Sequence, residues 1–207
     1  RRSRPGGMRI VRGRECPVQP WKNGGGVSRL LAAAPEGAGY DALDWHVSRP
    51  TIAASGPFSH LPGLDRQFMI VAGAGVALHC RGDGADFVQR VHRPLAPFAF
   101  RGDWDIRCTL LDGTAEVLNV MTRRGRCGAA IEVATLAPAP TMLRKRAGEV
   151  LVAYCPAGPV TAYGPWGTAT LERDDAVIAD EAPATEVALA AAEAAALPVV
   201  VIRVSPA

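Results

Sequence analysis

Cysteine is scarce in this chain and follows no pattern. The five residues Cys16, Cys80, Cys108, Cys127 and Cys155 are odd in number and widely separated, and no C-x-x-C occurs. That argues against a zinc knuckle and against a disulfide framework, and leaves reduced thiols in a cytoplasmic protein as the expectation. Histidine is scarcer, at four residues, with no His-x-His pair. Long apolar runs are missing as well: the only membrane-like stretch, residues 187–202, is broken by Glu193 and Pro198 and falls short of the ~20 residues a spanning helix needs. The charged start Met8-Arg9-Ile10-Val11-Arg12 has no apolar signal-peptide core, and Met8 is a candidate start with residues 1–7 an upstream extension. Neither a phosphate loop nor a dinucleotide fingerprint is present, which disfavours nucleotide binding. Basic residues give a net charge of only +3 and cluster at Arg1-Arg2-Ser3-Arg4, Arg123-Arg124-Gly125-Arg126 and Arg144-Lys145-Arg146. Without a denser basic stripe or a helix-turn-helix, zinc-finger or RNA-recognition signature, neither nucleic acid nor membrane is an expected partner.

What the chain does have is glycine and proline, 22 and 17 of its 207 residues, spread along its length. This exceeds the average combined usage of about 12% and implies many short elements joined by many turns. With 48% hydrophobic and 21% charged residues the composition is globular, and the length suffices for one large β domain or two small ones.

The hydrophobic pattern is that of strands. Residues 68–72 form a continuous apolar run ending at Gly73-Ala74-Gly75, as expected of a strand buried on both faces. Residues 106–110 alternate apolar and polar, and Asp112-Gly113 then precedes residues 115–120, which predicts a hairpin. Further strands are predicted over 76–80, 87–91, 150–155, 168–171, 176–179 and 199–204, a spacing that suggests a sandwich or barrel. Residues 184–197 are rich in alanine, leucine and glutamate, so propensity alone favours helix. Their setting between strands favours a strand at 186–190 followed by a loop. A faint echo relates Pro97-Phe98-Ala99-Phe100-Arg101-Gly102-Asp103-Trp104-Asp105 to residues 169–177 and hints at two related modules, with the transition near residues 120–146.

The most informative segment is Pro20-Trp21-Lys22-Asn23-Gly24-Gly25-Gly26, which sets an aromatic face, an ammonium and a carboxamide against three glycines. Glycine permits positive φ and close backbone approach, so the neighbouring side chains can converge on one small volume. From the glycines alone, an ordinary turn is the more frequent reading.

That segment, extended to Val27-Ser28-Arg29, is followed by Trp45-His46-Val47-Ser48, by Gly56-Pro57-Phe58-Ser59-His60-Leu61-Pro62-Gly63-Leu64-Asp65-Arg66, by Phe98-Ala99-Phe100-Arg101-Gly102-Asp103 and by Leu118-Asn119-Val120-Met121-Thr122-Arg123-Arg124-Gly125. In this order and spacing the chain resembles the HutD/Ves family, strongly over residues 10–126 and weakly beyond. The resemblance implies an all-β bicupin, two cupin-type β-barrels of the RmlC-like jelly-roll class packed side by side, divided here as residues 1–118 and 119–207. It also implies a link to histidine utilisation, which passes through urocanate and formiminoglutamate to formylglutamate or glutamate, with a binding or regulatory role and no established catalytic reaction.

Many cupins hold a metal through closely spaced histidines and a glutamate. Among His46, His60, His79 and His92 only His79 falls near the first cupin motif, and its partners are absent, so no metal and no other cofactor is expected. What remains is a polar pocket for a small carboxylate of the formylglutamate or formiminoglutamate class. Lys22, Asn23 and Arg66 have the chemistry to meet carboxylate and amide groups, and Trp21 and Phe58 supply an apolar wall. Asn119, Thr122 and Arg123 either complete the site or serve the barrel structurally. Arg66 has a second reading, as an ion-pair partner of Asp65 at the Pro62-Gly63 turn. Pro50 removes a ladder donor and is expected to bulge its strand or reshape the pocket rim. The competing reading is a metal-independent isomerase or hydrolase drawing its base from His46, His60, His79 or Asp65. A homodimer formed through β-edges is expected by analogy with other cupins.

Overall fold

In a computed structural model, residues 7–21, 24–180, 184–192 and 196–207 are described. Almost every element is a strand, and the one helical piece among the described residues is a 3-10 turn at Gly13–Glu15. No helix among them is long and apolar enough to cross a membrane.

The chain divides into two units, one formed by residues 17–128 with residue 207 and the other by residues 1–16 with 129–206. The expected cut between residues 118 and 119 falls inside a strand, Ala115–Arg123, that is paired on both sides within the first unit. Severing it there would break two ladders, so the units separate after it. The N-terminal strand also crosses over, because Met8–Val11 pairs with Ala176–Ala179 of the second unit.

The first unit is built from a six-stranded and a four-stranded sheet. In chain order its strands are β2 (Val18–Pro20), β3 (Gly26–Ala34), β4 (Trp45–Ile52), β5 (Gly56–Pro57), β6 (Leu64–Ala72), β7 (Val76–Gly82), β8 (Ala85–Val91), β9 (Phe98–Arg101), β10 (Asp105–Leu110) and β11 (Ala115–Arg123), with β1 (Met8–Val11) belonging to the second unit. The six-stranded order is β2-β3-β4-β11-β6-β9 and the four-stranded order β5-β10-β7-β8. Hence β10 and β11 are not the hairpin that the Asp112-Gly113 turn suggested: β10 pairs with β5 and β7, and β11 with β4 and β6. The turn carries the chain from one sheet to the other. Between them lies a core of Ile52, Phe68, Ile70, Val76, Leu78, Cys80, Phe100, Ile106, Cys108 and Val117.

The second unit continues with β12 (Cys127–Leu136), β13 (Thr141–Lys145), β14 (Val150–Tyr154), β15 (Val160–Gly164), β16 (Gly167–Leu171), β17 (Ala176–Ala179), β18 (Thr185–Ala191) and β19 (Leu197–Pro206). Its sheets run β1-β17-β14-β19-β12 and β13-β18-β15-β16. The alanine-rich segment is the strand β18, held between β13 and β15 with Val187, Leu189 and Ala191 in the core. Tertiary packing here overrides helix propensity.

Pro50 does not bulge β4. Ser48 faces Asn119 and Thr51 faces Glu116 in one continuous register against β11, while the irregularities lie elsewhere, at Leu30/Ala32 on β3 and at Glu116/Val117 against β6.

Candidate functional site

Side chains alternate across a strand, so every second residue of β4, β6 and β11 looks into the first unit. The register then sets rows of neighbours. His46, Met121, Arg66 and Phe100 form one row across β4, β11, β6 and β9; Ser48, Asn119, Phe68 and Phe98 form the next. A cavity of about 520 Å³ opens over these rows, with Trp21, Tyr40, Ser48, Phe58, Arg66 and Asn119 in its wall.

Arg66 is the principal charge there. Its residue is only 8% exposed. The guanidinium carbon lies 5.5 Å from the Phe58 ring centroid and 4.8 Å from that of Phe100. Such aromatic faces compensate part of the lost hydration of a cation. They do not satisfy its donors: Nε is buried without a hydrogen-bond partner, and no ion pair joins Arg66 to any carboxylate among the described residues. Burial lowers its pKa to about 10, opposed by the nearby Tyr40. Even so lowered, it stays a cation at neutral pH.

The proposed pairing of Arg66 with Asp65 is not made, because neighbours on a strand point to opposite faces. Asp65 instead accepts from Arg124 at 2.8 Å and 3.0 Å, and Arg124 also reaches Asp103 at 2.8 Å. On the cavity side Asn119 is 2% exposed, and its Oδ1 has no partner.

Trp21 closes one side. Its indole N–H donates to Ser28 Oγ at 2.8 Å, and its ring meets Phe58 edge-on at 6.5 Å. The glycines that follow serve the backbone. Gly24 sits at φ +71°, and a Cβ on Gly26 would lie 2.3 Å from the Thr51 carbonyl oxygen, so β3 approaches β4 at that point as only glycine allows. Trp21 also borders a smaller recess of about 140 Å³ shared with Gly24, Gly25 and residues 54–58. Lys22 and Asn23 lie outside the described residues.

Thr122 and Arg123 do not line the cavity. Thr122 alternates to the opposite face of β11 from Asn119 and Met121. The Arg123 guanidinium donates to the carbonyls of Tyr40, Leu43 and Pro62, tying two loops together. Tyr40, Ser48 and Met121 are wall residues that sequence reasoning missed; the alternation set by Arg66 and Asn119 in paired strands was the signal for the last two, while Tyr40 arrives from a loop that no period describes.

His46 stands on the cavity-facing side of β4, beside the wall, with its ring 5.9 Å from Tyr40. Burial, with the charge of Arg66 second, lowers its pKa to about 4, so it is neutral. Of the other three histidines, His60 and His92 are exposed and His79 is half-buried. His60 contacts the Asp103 carbonyl at 3.0 Å, and His79 faces outward from β7 to Asp86 at 2.7 Å. No group of three His, Cys, Asp or Glu side chains is gathered anywhere among the described residues, so they form no metal cradle of the cupin kind.

Comparison with known proteins places this geometry in context. A family model described as HutD matches residues 14–197. Protein Ves of Citrobacter koseri is 34% identical over 122 residues, 58% of this chain and 61% of that protein. A protein of Pseudomonas putida described as an uncharacterized 21.2 kDa protein in the hutC 3' region is 32% identical over 117 residues, 55% of this chain and 57% of its own. The chain thus spans about three-fifths of the length of the curated relatives it matches. Among solved structures, HutD from Pseudomonas fluorescens SBW25, in a formate condition, superposes with a TM-score of 0.78 at 25% identity, covering 97% of this chain and 99% of that one. A conserved protein of unknown function from Pseudomonas aeruginosa PAO1 gives 0.80 at 27% identity, covering 96% and 98%. The oxalate decarboxylase of Lactobacillus farciminis, a formate complex, gives 0.68 at 8% identity over 96% of this chain and 86% of its own, a likeness of cupin fold alone.

Proposed function

The chain belongs to the HutD family, and on that premise we propose that its first unit binds a small acidic intermediate of histidine degradation, of the formylglutamate or formiminoglutamate class, without a metal and in a regulatory or flux-limiting role in the cytoplasm. One observation carries this reading: Arg66, a buried cation with no carboxylate partner among the described residues, stands in the wall of a cavity large enough for such a molecule. Burying a charge unpaired is costly, and an anionic ligand accepting from its planar donors would offset that cost. The P. putida relative described by its place beside hutC and the P. fluorescens HutD structure in a formate condition lend the reading its metabolic setting.

The enzymatic alternative draws its one cavity-side base from His46, whose Nδ1 has no orienting partner, while Asp65 is committed to Arg124. A positioned acid–base pair is what such chemistry needs; the one histidine paired with a carboxylate above, His79 with Asp86, is not among the residues lining the cavity.

Titration calorimetry and thermal shift with formylglutamate test the proposal. Binding is expected, with Arg66→Met weakening it by about 2 to 5 kcal/mol, the usual loss when one side of a buried charge pair is truncated. Neither heat nor a thermal shift with any pathway acid would refute it.

A further inference from the structure

Two loops contribute to the rim of the large cavity, and they are held very differently. Residues 58–63, between β5 and β6, put Phe58, Ser59 and Leu61 in the wall. This loop is bonded to its surroundings, with the Phe58 amide donating to the Ile106 carbonyl and the Leu61 amide to that of Gly102, each at 2.8 Å. Residues 35–44, between β3 and β4, bring Tyr40. The base of that loop is fixed, since Leu43 is buried against Leu64 and Met121, and the Asp44 carbonyl accepts from the Arg123 amide at 2.7 Å. Over residues 35–42 the backbone bonds close within the loop, Ala38 to Pro35 and Ala42 to Gly39, and Tyr40 is 47% exposed. A turn bonded mainly to itself opens at little cost.

The Arg123 side chain spans the gap between the two. It follows Asn119 and Met121 on the inward side of β11, paired with Leu64 as Met121 is with Arg66. All three of its guanidinium nitrogens donate to carbonyls: Nε to Leu43 at 3.3 Å, Nη1 to Pro62 at 3.1 Å and Nη2 to Tyr40. The last is the one hydrogen bond among the described residues that reaches residues 35–42 from outside their loop. A rigid planar fork can hold acceptors on two loops at a fixed separation, which a single ammonium on a flexible stem cannot. What the fork holds is a wall residue, for the Tyr40 ring lies 5.9 Å from that of His46, in the row that continues to Arg66.

We propose that Arg123 is a positioning residue for the cavity: by joining the two loops it keeps Tyr40 at the rim, where Tyr40 closes on the molecule bound at Arg66. Arg123 thereby governs affinity without touching the ligand. This rests on the reading that the cavity binds an acid, and adds to it the pair of residues that close the site.

The test combines calorimetry with formylglutamate and amide hydrogen exchange on the full chain, for Arg123→Lys, Tyr40→Ala and the two together. Lysine keeps the charge and loses the fork, so a purely electrostatic role leaves affinity unchanged. In ligand-free Arg123→Lys, exchange is expected to quicken at residues 36–43 and not across the first unit. Each single variant is expected to bind at least about fivefold more weakly, and the double variant no more weakly than Tyr40→Ala alone, because both changes act through one contact. Losses that multiply in the double variant, or parental affinity in either single variant, overturn the inference and leave the acid-binding reading intact. Unchanged exchange at residues 36–43 overturns it whatever the ligand does. A ligand-free Arg123→Lys that melts several degrees lower, with exchange quickened throughout the first unit, assigns Arg123 to the framework and refutes its positioning role. No binding by the unaltered protein overturns both readings.

Discussion

At the scale of single residues, the inner face of the six-stranded sheet combines a buried cation, a neutral imidazole and an unpaired amide. His46 has a consequence for stability. Its folded pKa of about 4 lies below the ordinary 6.5, so between those values the unfolded chain binds a proton that the folded chain refuses. Stability therefore falls as pH drops from about 6.5 towards 4, by at most about 1.4 kcal/mol per pH unit, and is indifferent to His46 above that window. Denaturant titrations at stepped pH are expected to show this slope, with His46→Gln flattening it; an unchanged slope would place the proton uptake elsewhere. Of the residues singled out from sequence, Arg66, Asn119, Trp21 and Phe58 meet in the wall of one cavity, whereas Thr122 and Arg123 share a motif with Asn119 yet lie outside that wall. Adjacency in a motif is not adjacency in space when alternate residues of a strand face opposite ways.

Among the elements, the β2–β3 connection shows how two glycines a step apart do different work. At Gly24 the demand is conformational: φ is +71° and open space surrounds the absent Cβ. Gly24→Ala is therefore expected to cost about 1 kcal/mol, the price of a left-handed backbone with a side chain. Gly26 has no such φ, but its Cβ would strike the Thr51 carbonyl at 2.3 Å and crowd the Trp21 ring at 3.3 Å. Gly26→Ala must push β3 from β4 and is expected to cost about 3 kcal/mol or more, with altered Trp21 fluorescence. Equal costs in chemical denaturation would contradict this division. Strand existence was legible from apolar runs such as 68–72 and 176–179, which form β6 and β17. Strand pairing was not, because a tight turn such as Asp112-Gly113 serves equally to close a hairpin or to change sheets.

Across the whole molecule, the two units repeat one plan. The order β4-β11-β6-β9 in the first matches β12-β19-β14-β17 in the second, and β5-β10-β7-β8 matches β13-β18-β15-β16, each strand offset by eight. The echo between residues 97–105 and 169–177 is out of step with this repetition by one strand, setting β9 against β16 where the topology sets it against β17. The repetition does not extend to the interior. Where β6 and β11 present Arg66 and Asn119 inward, β14 and β19 present Leu151, Ala153, Val199 and Val201 to an apolar core. The crossing N-terminal segment is pinned to that second core by Asp175, 2% exposed, which accepts from the Gly13 amide at 3.0 Å, the Glu172 amide at 3.0 Å and Arg12 at 2.6 Å. Removing it strands two backbone donors and leaves Arg12 only its bond to the Thr170 carbonyl, so Asp175→Ala is expected to destabilise the second unit by on the order of 3 kcal/mol. Hydrogen exchange should then quicken in β1, β14 and β17 while affinity for an acid at Arg66 is kept, because no residue of that wall touches Asp175. Loss of binding equal to the loss of stability would show instead that the first unit cannot hold its cavity without the second.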